Sequence, residues 1–513
     1  MPSILGIDSG LTVTKAVLFE PDGRAVAVAR RRVPQDMPHP RWTERSPDAL
    51  WQACAEAVRE AIASSGRPAS DIAAVAATAH GDGLYLLDRE GRALGPGILS
   101  LDSRAGDVVE AWEREGVADK ALRLSGQVPH AAAPSALLAW IKDHQPERFD
   151  EIGAVLACKD WLRYCLTGVV ATDRTEASTS FTHVETQAYD PAILGLYGLG
   201  ALSPALPPVL ASTAIAGSVT AAAAALTGLR AGTPVACGLH DVTASALGIG
   251  GLEPGLLSVV VGTYSINEIV STRPTVDRRW FCRNAVEPGE WMNMAISPAS
   301  TANIEWFIDN FCRAELAQAK ASGTNVFELL ADELAAAFAR PSGITFHPFL
   351  FGSPFGPTAS AGFFGLRGWH DRGDVMKAVF EGVVFNHRTH VDALREEFPI
   401  TAARIAGGGA RSPALSQMFA DALRLPVIVT TADEAGALGA ALCAGVAAGL
   451  YDDVGAAMRG TTHILRRHEP DPARAAVLDE RFSLYTALIE GLAPHWRAID
   501  RAVADIGASR GQT

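Results

Sequence analysis

Two distant stretches of this sequence share one pattern, in which a strand, a small polar turn and a second strand follow each other. Residues 4–19 form the first stretch and residues 256–267 the second, and each has a glycine in its turn. Such runs are typical of β-hairpins. Because glycine lets backbone N–H groups approach an anion, we predict a phosphate-binding turn in each half of the chain. Asp8 and Lys15 in the first hairpin add the charged groups that a nucleotide triphosphate and its magnesium ion need.

A carboxylate at the end of a short apolar strand is the main catalytic candidate. Residues 234–238 are an apolar run that ends in glycine, and His240 and Asp241 follow directly before a helical pattern over residues 242–248. Ligands in open α/β sheets bind at the carboxyl ends of the strands, which favours Asp241 as a catalytic residue. The alternative is a helix N-cap, because Asp at that position accepts hydrogen bonds from backbone N–H groups.

Two further apolar runs also end in polar groups. Residues 71–78 lead into His80 and Asp82, which flank a glycine, and residues 98–101 lead into Asp102. Both turns are candidates for contact with a substrate. The alternatives are a core histidine at position 80, a turn residue at position 82, and an internal ion pair between the carboxylate at position 102 and the arginine two residues later.

Length and charge limit the possible functions. A chain of 513 residues and 53.9 kDa exceeds what one hydrophobic core normally supports, so we predict two domains, over residues 1–250 and 251–513. The net charge of −13, without clustered Lys and Arg, argues against a nucleic-acid partner.

The cysteines and the apolar segments indicate the compartment. The seven cysteines are scattered and include no C-x-x-C pair, as in a protein of the reducing cytoplasm. The first residues show no signal peptide. Residues 435–450 are rich in Ala and Gly, which predicts a close-packed core helix rather than a membrane span. We therefore expect a cytoplasmic protein with no membrane partner.

The second half contains a glycine turn and a histidine pair. Three glycines at 407–409 follow an apolar run and precede a helix, and such a turn can admit a base and ribose against the backbone. A plain tight turn is the alternative. His387 and His390 lie three positions apart on a predicted helix over residues 383–398, but no third metal ligand lies nearby in the sequence.

Together these motifs resemble the FGGY family of carbohydrate kinases. The most specific segment runs from Ala361 to Glu381 and fits the carboxy-terminal signature of that family. The resemblance extends over nearly the whole chain. It implies an α/β fold of two actin-like, ribonuclease-H-like domains, with ATP and a polyhydroxy substrate in the cleft between them. It also implies Mg²⁺ as cofactor and a homodimer.

The resemblance also assigns roles to individual positions. Asp241 would be the general base on the substrate hydroxyl, and Asp8 would orient Mg²⁺, either directly or through water. The sugar would be contacted by His80, Asp82, Asp102, His240 and Asp241. ATP and its phosphates would be bound by Thr12, Lys15, Gly262, Thr263, Gly408 and Gly409.

Within the family, the segments at 81–88, 98–105 and 348–353 look most like kinases of L-xylulose and related ketopentoses. Tetritol or pentitol kinases, such as those for erythritol, and D-xylulose kinases are the alternatives. Related kinases often carry Arg or Met at the position of Gly81, so we expect a less filled pocket that disfavours glycerol. An actin-fold sugar sensor that binds ATP is the alternative outside the enzymes, and the presence of both Asp8 and Asp241 argues against it.

Overall fold

The structure is a computed structural model that describes residues 2–502. The chain folds into two compact units. The first unit consists of Met1–Pro254, Ile269–Met294 and Thr431–His463, and the second of Gly255–Glu268, Ala295–Thr430 and Ile464–Thr513. The predicted domain boundary at residue 250 stays a prediction, and the predicted end of the second domain at residue 513 lies outside the described residues.

The first unit is built on a mixed sheet of six strands among the described residues. The strands Ser3–Ser9, Ile72–Ala79 and Pro234–Ala236 are parallel, so their carboxyl ends lie at one edge of the sheet. Antiparallel strands complete it on both sides. The order across the sheet is Ile215–Ser218, Pro234–Ala236, Ile72–Ala79, Ser3–Ser9, Val13–Phe19 and Ala25–Arg32.

Helices cover both faces of this sheet. Pro47–Ser65 shows how the local sequence fixes a helix: Ser46 caps its start through the Ala49 N–H, and Gly66 ends it in the left-handed conformation. The other helices of the unit are Gly106–Arg114, Val117–Ser125, Pro134–His144, Pro146–Asp150, Cys158–Thr167, Arg174–Ala177, Pro191–Leu196, Ala221–Thr227, Asp241–Gly248, Ala435–Ala447 and Val454–Thr461.

Short paired strands complete the first unit. They are Glu44–Arg45 with Gly97–Ile98, Tyr85–Asp88 with Ile152–Leu156, Thr172–Asp173 with Val209–Leu210, and Phe281–Asn284 with the first residues of Trp291–Ser297.

The helix Ala435–Ala447 is buried as the composition of residues 435–450 predicted. A Cβ on Gly439 would lie 1.9 Å from the carbonyl oxygen of Ala244, so the small residues allow two helix backbones to approach closely. This helix and the helix Asp241–Gly248 pack on the same face of the sheet, in a core that includes Ile4, Val17 and Ala76. The packing of these two helices fixes the position of Asp241, the first residue of the helix Asp241–Gly248.

The second unit contains a related sheet. Its strands Leu256–Val261, Ala402–Ala406 and Val427–Thr430 are parallel, flanked by antiparallel Ser265–Ser271 and Ile464–His468. A small pair of Thr345–His347 and Gly362–Phe364 lies apart from it. The helices are Thr301–Phe311, Arg313–Ser322, Val326–Leu329, Ala331–Ala339, Arg372–Arg395, Pro413–Leu423 and Pro472–Leu492.

Both predicted hairpins are confirmed. The strands Ser3–Ser9 and Val13–Phe19 pair in antiparallel fashion around Gly10–Thr12, and Leu256–Val261 and Ser265–Ser271 pair around residues 262–264. The helix predicted over residues 383–398 begins earlier and is longer, at Arg372–Arg395, because Asp371 and Asp374 form a capping box that the periodicity did not show.

Candidate active site

Polar side chains collect where the three parallel strands of the first unit end. Ser3–Ser9 leads into the Gly10–Thr12 turn, Ile72–Ala79 leads into His80 and Asp82, and Pro234–Ala236 leads into His240 and Asp241. Because parallel strands end at the same edge, residues that are far apart in sequence meet here. The structure thereby brings together most of the site residues that the sequence predicted for this unit.

Asp241 is the first residue of its helix and not the cap. His240 occupies the N-cap position, and its side chain makes no capping hydrogen bond. The carboxylate of Asp241 accepts a hydrogen bond from the Val242 N–H at 2.8 Å and stays one-third exposed. Burial, and then the negative charge of Asp8, raise the pKa of Asp241 to about 7. A carboxyl with such a pKa can accept a proton near neutral pH.

A buried network supports the turn that carries Asp241. The Lys159 ammonium lies 3.0 Å from Asp173, whose other oxygen accepts the Thr175 hydroxyl at 2.8 Å. The Thr175 oxygen in turn accepts the backbone N–H of His240 at 2.9 Å. Ser212 also donates to Asp173 at 2.7 Å. The buried charges of Lys159 and Asp173 are thus paired, and the hydrogen bonds from Asp173 through Thr175 hold the turn at His240 in place.

Asp82 is paired with Arg283, which the sequence did not reveal. The Arg283 guanidinium lies 3.1 Å from one Asp82 oxygen and donates through Nε to Gln127 at 2.8 Å. His130 lies 3.6 Å from the same Asp82 oxygen. Although burial acts in the opposite direction, Arg283 and then His130 hold the pKa of Asp82 well below its usual range. Asp82 therefore remains an acceptor for hydroxyl groups at every physiological pH.

The space beside Gly81 is filled, which corrects the expectation of a roomier pocket. A Cβ on Gly81 would lie 1.8 Å from Nε2 of His240, so the imidazole ring occupies the place that a side chain at position 81 would take. The ring is almost fully buried, and its Nε2 lies 3.3 Å from Arg283. Burial, and then Arg283, lower the pKa of His240 to about 4, so the ring is neutral at pH 7.

Asp8 forms an ion-pair cluster with Lys15. The Lys15 ammonium lies 3.6 Å from Asp8 and 3.0 Å from Glu434, which also pairs with Arg30. Burial, and after it the neighbouring Glu434, raise the pKa of Asp8 against the opposing effect of Lys15. The Lys15 side chain is 31% exposed and stays available to an anionic ligand.

Thr12 is exposed at the tip of the first hairpin turn. The turn is braced from its inner side: Gln35 and Arg45 both donate to the carbonyl oxygen of Leu11, and the carbonyl of Thr12 accepts the Val33 N–H. The bracing gives the turn a defined shape before any ligand arrives.

Two residues predicted to contact the sugar, Asp102 and His80, are buried. Asp102 accepts hydrogen bonds from Arg104 at 2.8 and 2.9 Å and from the Thr43 N–H at 2.7 Å, and its side chain is fully buried. This is the internal ion pair that the sequence offered as the alternative. The His80 ring is buried beside Tyr85, with ring centroids 6.2 Å apart, and burial together with Arg45 lowers its pKa to about 3.

The glycine turns of the second unit lie next to each other. Ala402–Ala406 runs parallel to Leu256–Val261, so Gly407 follows its strand at the edge where Gly262 follows the other. A Cβ on Gly407 would lie 2.5 Å from the carbonyl oxygen of Val261. Gly408 and Thr263 are exposed, whereas Gly409 packs on Val261. The structure thus brings together the four residues predicted to bind ATP from this unit, Gly262, Thr263, Gly408 and Gly409.

The histidine pair on the long helix is part of the core. His387 lies within hydrogen-bonding distance of Asn267, at 2.9 Å, and of Ser300, at 3.2 Å, while His390 lies 2.9 Å from Ser297. Across residues 2–502, no group of three His, Cys, Asp or Glu side chains is arranged to hold a metal ion. The pair therefore stabilises the packing of the helix.

The sequence missed Arg283, Glu434 and Arg45 as parts of this site. Each reaches the turns from a strand or loop remote in sequence, and no local pattern marks it. For Arg283 the one available signal was its charge, because the only charged residue of the strand Phe281–Asn284 needs a partner when it is buried. Arg45 and Glu434 follow other charged residues directly and gave no such signal.

Comparison with known proteins identifies the family. The N-terminal domain of the FGGY family of carbohydrate kinases matches residues 3–248, and its C-terminal domain matches residues 257–448. The chain belongs to the FGGY family of carbohydrate kinases. It is therefore a sugar or polyol kinase with ATP as co-substrate, in a two-domain α/β fold.

Individual members of the FGGY family are similar to this chain over almost its full length. The L-xylulose/3-keto-L-gulonate kinase of Escherichia coli K12 is 35% identical over 95% of this chain and 97% of its own. The erythritol kinase of Brucella abortus is 32% identical over 96% and 97%. The crystal structure of xylulose kinase from Rhodospirillum rubrum superposes with a TM-score of 0.85 at 29% identity, covering 96% of this chain and 100% of that one.

Among residues 2–502, no helix is both long enough and apolar enough to span a bilayer.

Proposed function

We propose that this kinase phosphorylates a hydroxyl of a ketopentose such as L-xylulose, with Asp241 as the general base. The observation that carries the proposal is the carboxylate of Asp241, at a strand end with a pKa of about 7, in the turn next to Asp82. The relatives named for L-xylulose support the substrate.

In the proposed reaction, the Asp241 carboxylate accepts the proton of the substrate hydroxyl as the oxygen attacks the γ-phosphorus of ATP. A new O–P bond forms, the bond between the γ-phosphorus and the bridging oxygen breaks, and ADP leaves with the electron pair. Protonated Asp241 releases its proton to solvent through its exposed third. A positioned base of this kind contributes about 10²- to 10⁴-fold to the rate.

Hydroxyl recognition is assigned to the pair of Asp82 and Arg283. Asp82 accepts hydrogen bonds from substrate hydroxyls, and Arg283 with His130 keeps it ionised and fixed. His240 closes the space beside Gly81 and limits how deep a substrate can enter. We propose no direct contact for Asp102, because its oxygens are bound to Arg104 and to the backbone of Thr43.

ATP is assigned to Thr12 and Lys15 of the first unit and to Gly262, Thr263, Gly408 and Gly409 of the second. A partly exposed Lys and an exposed Thr suit phosphate oxygens. Gly408 has open space where a Cβ would stand, which suits the approach of a flat ring to the backbone.

Magnesium fits the donor set around Asp8. Mg²⁺ is usually held by one or two carboxylates, waters and substrate phosphates, and Asp8 lies close enough to Asp241 to raise its pKa. We propose Asp8 as the protein group that holds the ion, directly or through water. When bound, the ion would neutralise negative charge on the phosphates.

We also propose a cytoplasmic homodimer. The seven cysteines are all unpaired, as expected in a reducing compartment. The homodimer rests on the family resemblance alone, and light scattering after gel filtration tests it.

An ADP-release screen tests the substrate. We expect the highest kcat/KM for L-xylulose among L-xylulose, D-xylulose, erythritol, pentitols and glycerol. A preference for erythritol would favour the tetritol alternative, which the similarity to the Brucella abortus erythritol kinase supports. A preference for glycerol over every longer substrate would contradict the proposed pocket.

A further inference from the structure

Arg45 is a fully buried cation beneath the first hairpin turn. Its relative exposure is 0%, and its guanidinium donates to the carbonyl oxygens of Gly10 and Leu11. Within residues 2–502, no carboxylate lies within 4.0 Å of it. Burying a charge without a partner is costly, so a protein that keeps one in such a place gains something else from it.

Three titratable neighbours of Arg45, namely Cys158, Tyr85 and His80, do not supply a negative charge. Burial raises the pKa of Cys158 to about 12 and that of Tyr85 well above its usual value, although Arg45 acts in the opposite direction on both. Burial and Arg45 keep His80 neutral. At pH 7 these three neighbours of the guanidinium are therefore neutral.

The turn above Arg45 is oriented by these contacts. In a planar trans peptide the N–H points opposite to the C=O of the preceding residue. With the carbonyls of Gly10 and Leu11 turned towards Arg45, the N–H groups of Leu11 and Thr12 point away from it, on the outer side of the turn. Thr12 is exposed on the turn. Successive N–H groups of this kind form a concave site for an anion.

Bracing alone does not require a charge. The neutral amide of Gln35 also donates to the carbonyl of Leu11. A neutral donor can therefore serve these acceptors, and what Arg45 adds is a positive charge on the low-dielectric side of the turn, where screening by solvent is weak.

We propose that Arg45 is a positioning residue for ATP, whose unpaired buried charge strengthens the binding of the polyphosphate to the Gly10–Thr12 turn. This inference rests on the proposed function, in which that turn contacts the phosphates. The negative partner that Arg45 lacks in the folded protein is the polyphosphate of the co-substrate, which it attracts through the turn without touching it.

Two substitutions separate charge from bracing. Arg45→Gln keeps hydrogen-bond donors and removes the charge, whereas Arg45→Lys keeps the charge and loses the planar donor pair. Arg163→Gln is the matched control: Arg163 is also 0% exposed and also donates to two carbonyls, those of Val169 and Ala171, but it has Asp160 at 3.6 Å.

We expect Arg45→Gln to raise the KM for ATP by about tenfold, the order of one charge interaction across about 12 Å at an effective dielectric of about 20. The inhibition constant of inorganic tripolyphosphate should rise by the same factor, while that of adenosine and the KM for the sugar stay within about twofold of wild type. Arg45→Lys should restore most of the affinity. Arg163→Gln should lower the melting temperature and leave all four constants unchanged.

An unchanged KM for ATP in Arg45→Gln would overturn the inference, and so would equal losses in Arg45→Gln and Arg45→Lys, which would indicate bracing alone. If Arg45→Gln does not accumulate as folded protein, Arg45→Lys decides: near wild-type affinity for tripolyphosphate supports the role of charge, and a tenfold loss refutes it. A wild-type protein that releases no ADP with any sugar would instead refute the proposed function.

Discussion

In both units of the chain, parallel strands end at a single edge of a sheet, yet the two edges carry different groups. The edge of the first unit carries charged side chains, among them Asp8, Asp82 and Asp241. The edge of the second unit is largely glycine backbone, with Gly408 open to solvent. The first arrangement sets protonation states, and the second admits a ligand close to the main chain. Under the proposed function, one topology would serve proton transfer where the strand ends carry side chains and nucleotide binding where they are glycine.

The largest effect should come from the base at the first edge. We expect Asp241→Asn to lower kcat by roughly two to four orders of magnitude, because the amide cannot accept the hydroxyl proton. ATP binding should remain nearly intact. Steady-state ADP release, with nucleotide affinity measured separately by calorimetry, checks both parts.

Stability provides the control for this variant. The pKa of Asp241 is about 7 in the folded protein and near 3.8 when unfolded, so the folded state holds an extra proton between about pH 4 and 7 and loses stability as pH rises through that range. Asn carries no such penalty. Asp241→Asn should therefore melt at a temperature at least as high as wild type at pH 8, and a marked loss there would mean that the rate effect reflects misfolding.

The second effect concerns substrate binding at the same edge. Asp82→Ala should raise the KM for the sugar by about 10²-fold with little change for ATP, because buried polar groups that recognise hydroxyls discriminate strongly. It also leaves the buried Arg283 without its carboxylate. Kinetics with each substrate varied in turn checks this, and a loss confined to ATP would show that Asp82 does not face the sugar.

The complementarity of Gly81 and His240 predicts a smaller effect. Gly81→Ala places a methyl group where Nε2 of His240 stands, so the ring must move, and we expect kcat/KM for the sugar to fall by about tenfold. The double variant with His240→Ala should recover part of this loss. Gly195→Ala, where a Cβ meets nothing within 4 Å, is the matched control. Equal losses in the single and double variants would contradict a shared space.

At the second edge, Gly408 should respond through nucleotide affinity alone. Gly408→Ala adds a methyl group in open space and should raise the KM for ATP several-fold without a change in melting temperature. Gly409→Ala would meet Cγ1 of Val261 at 2.4 Å and should instead destabilise the fold by about 1–3 kcal/mol. If Gly408→Ala leaves the KM for ATP unchanged, the adenosine assignment fails.

Local patterns in the sequence were sufficient to predict the elements of both edges. The alternation and glycine turn of residues 4–19 and 256–267 predicted both hairpins, and a strand end followed by a helix predicted the position of Asp241. These features depend on neighbours within a few residues, so one sequence is sufficient to predict them.

Partners that approach from distant segments could not be predicted. Arg283 meets Asp82 across 201 positions, and the His240 ring occupies the space beside Gly81 only after two strands have paired through the sheet. Gly81 therefore suggested an open pocket, since a missing side chain in the sequence does not show which other residue fills its place. The same limit applied to Glu434 beside Lys15.

The pH dependence of kcat/KM for the sugar tests the role of Asp241 most directly. The base is active as a carboxylate whose pKa is raised by burial, so the rate should fall by up to about tenfold per pH unit on the acid side, and Asp241→Asn should show no such limb in its residual activity. A wild-type profile that stays flat from about pH 5.5 to 8.5, or an identical limb in Asp241→Asn, would contradict the account.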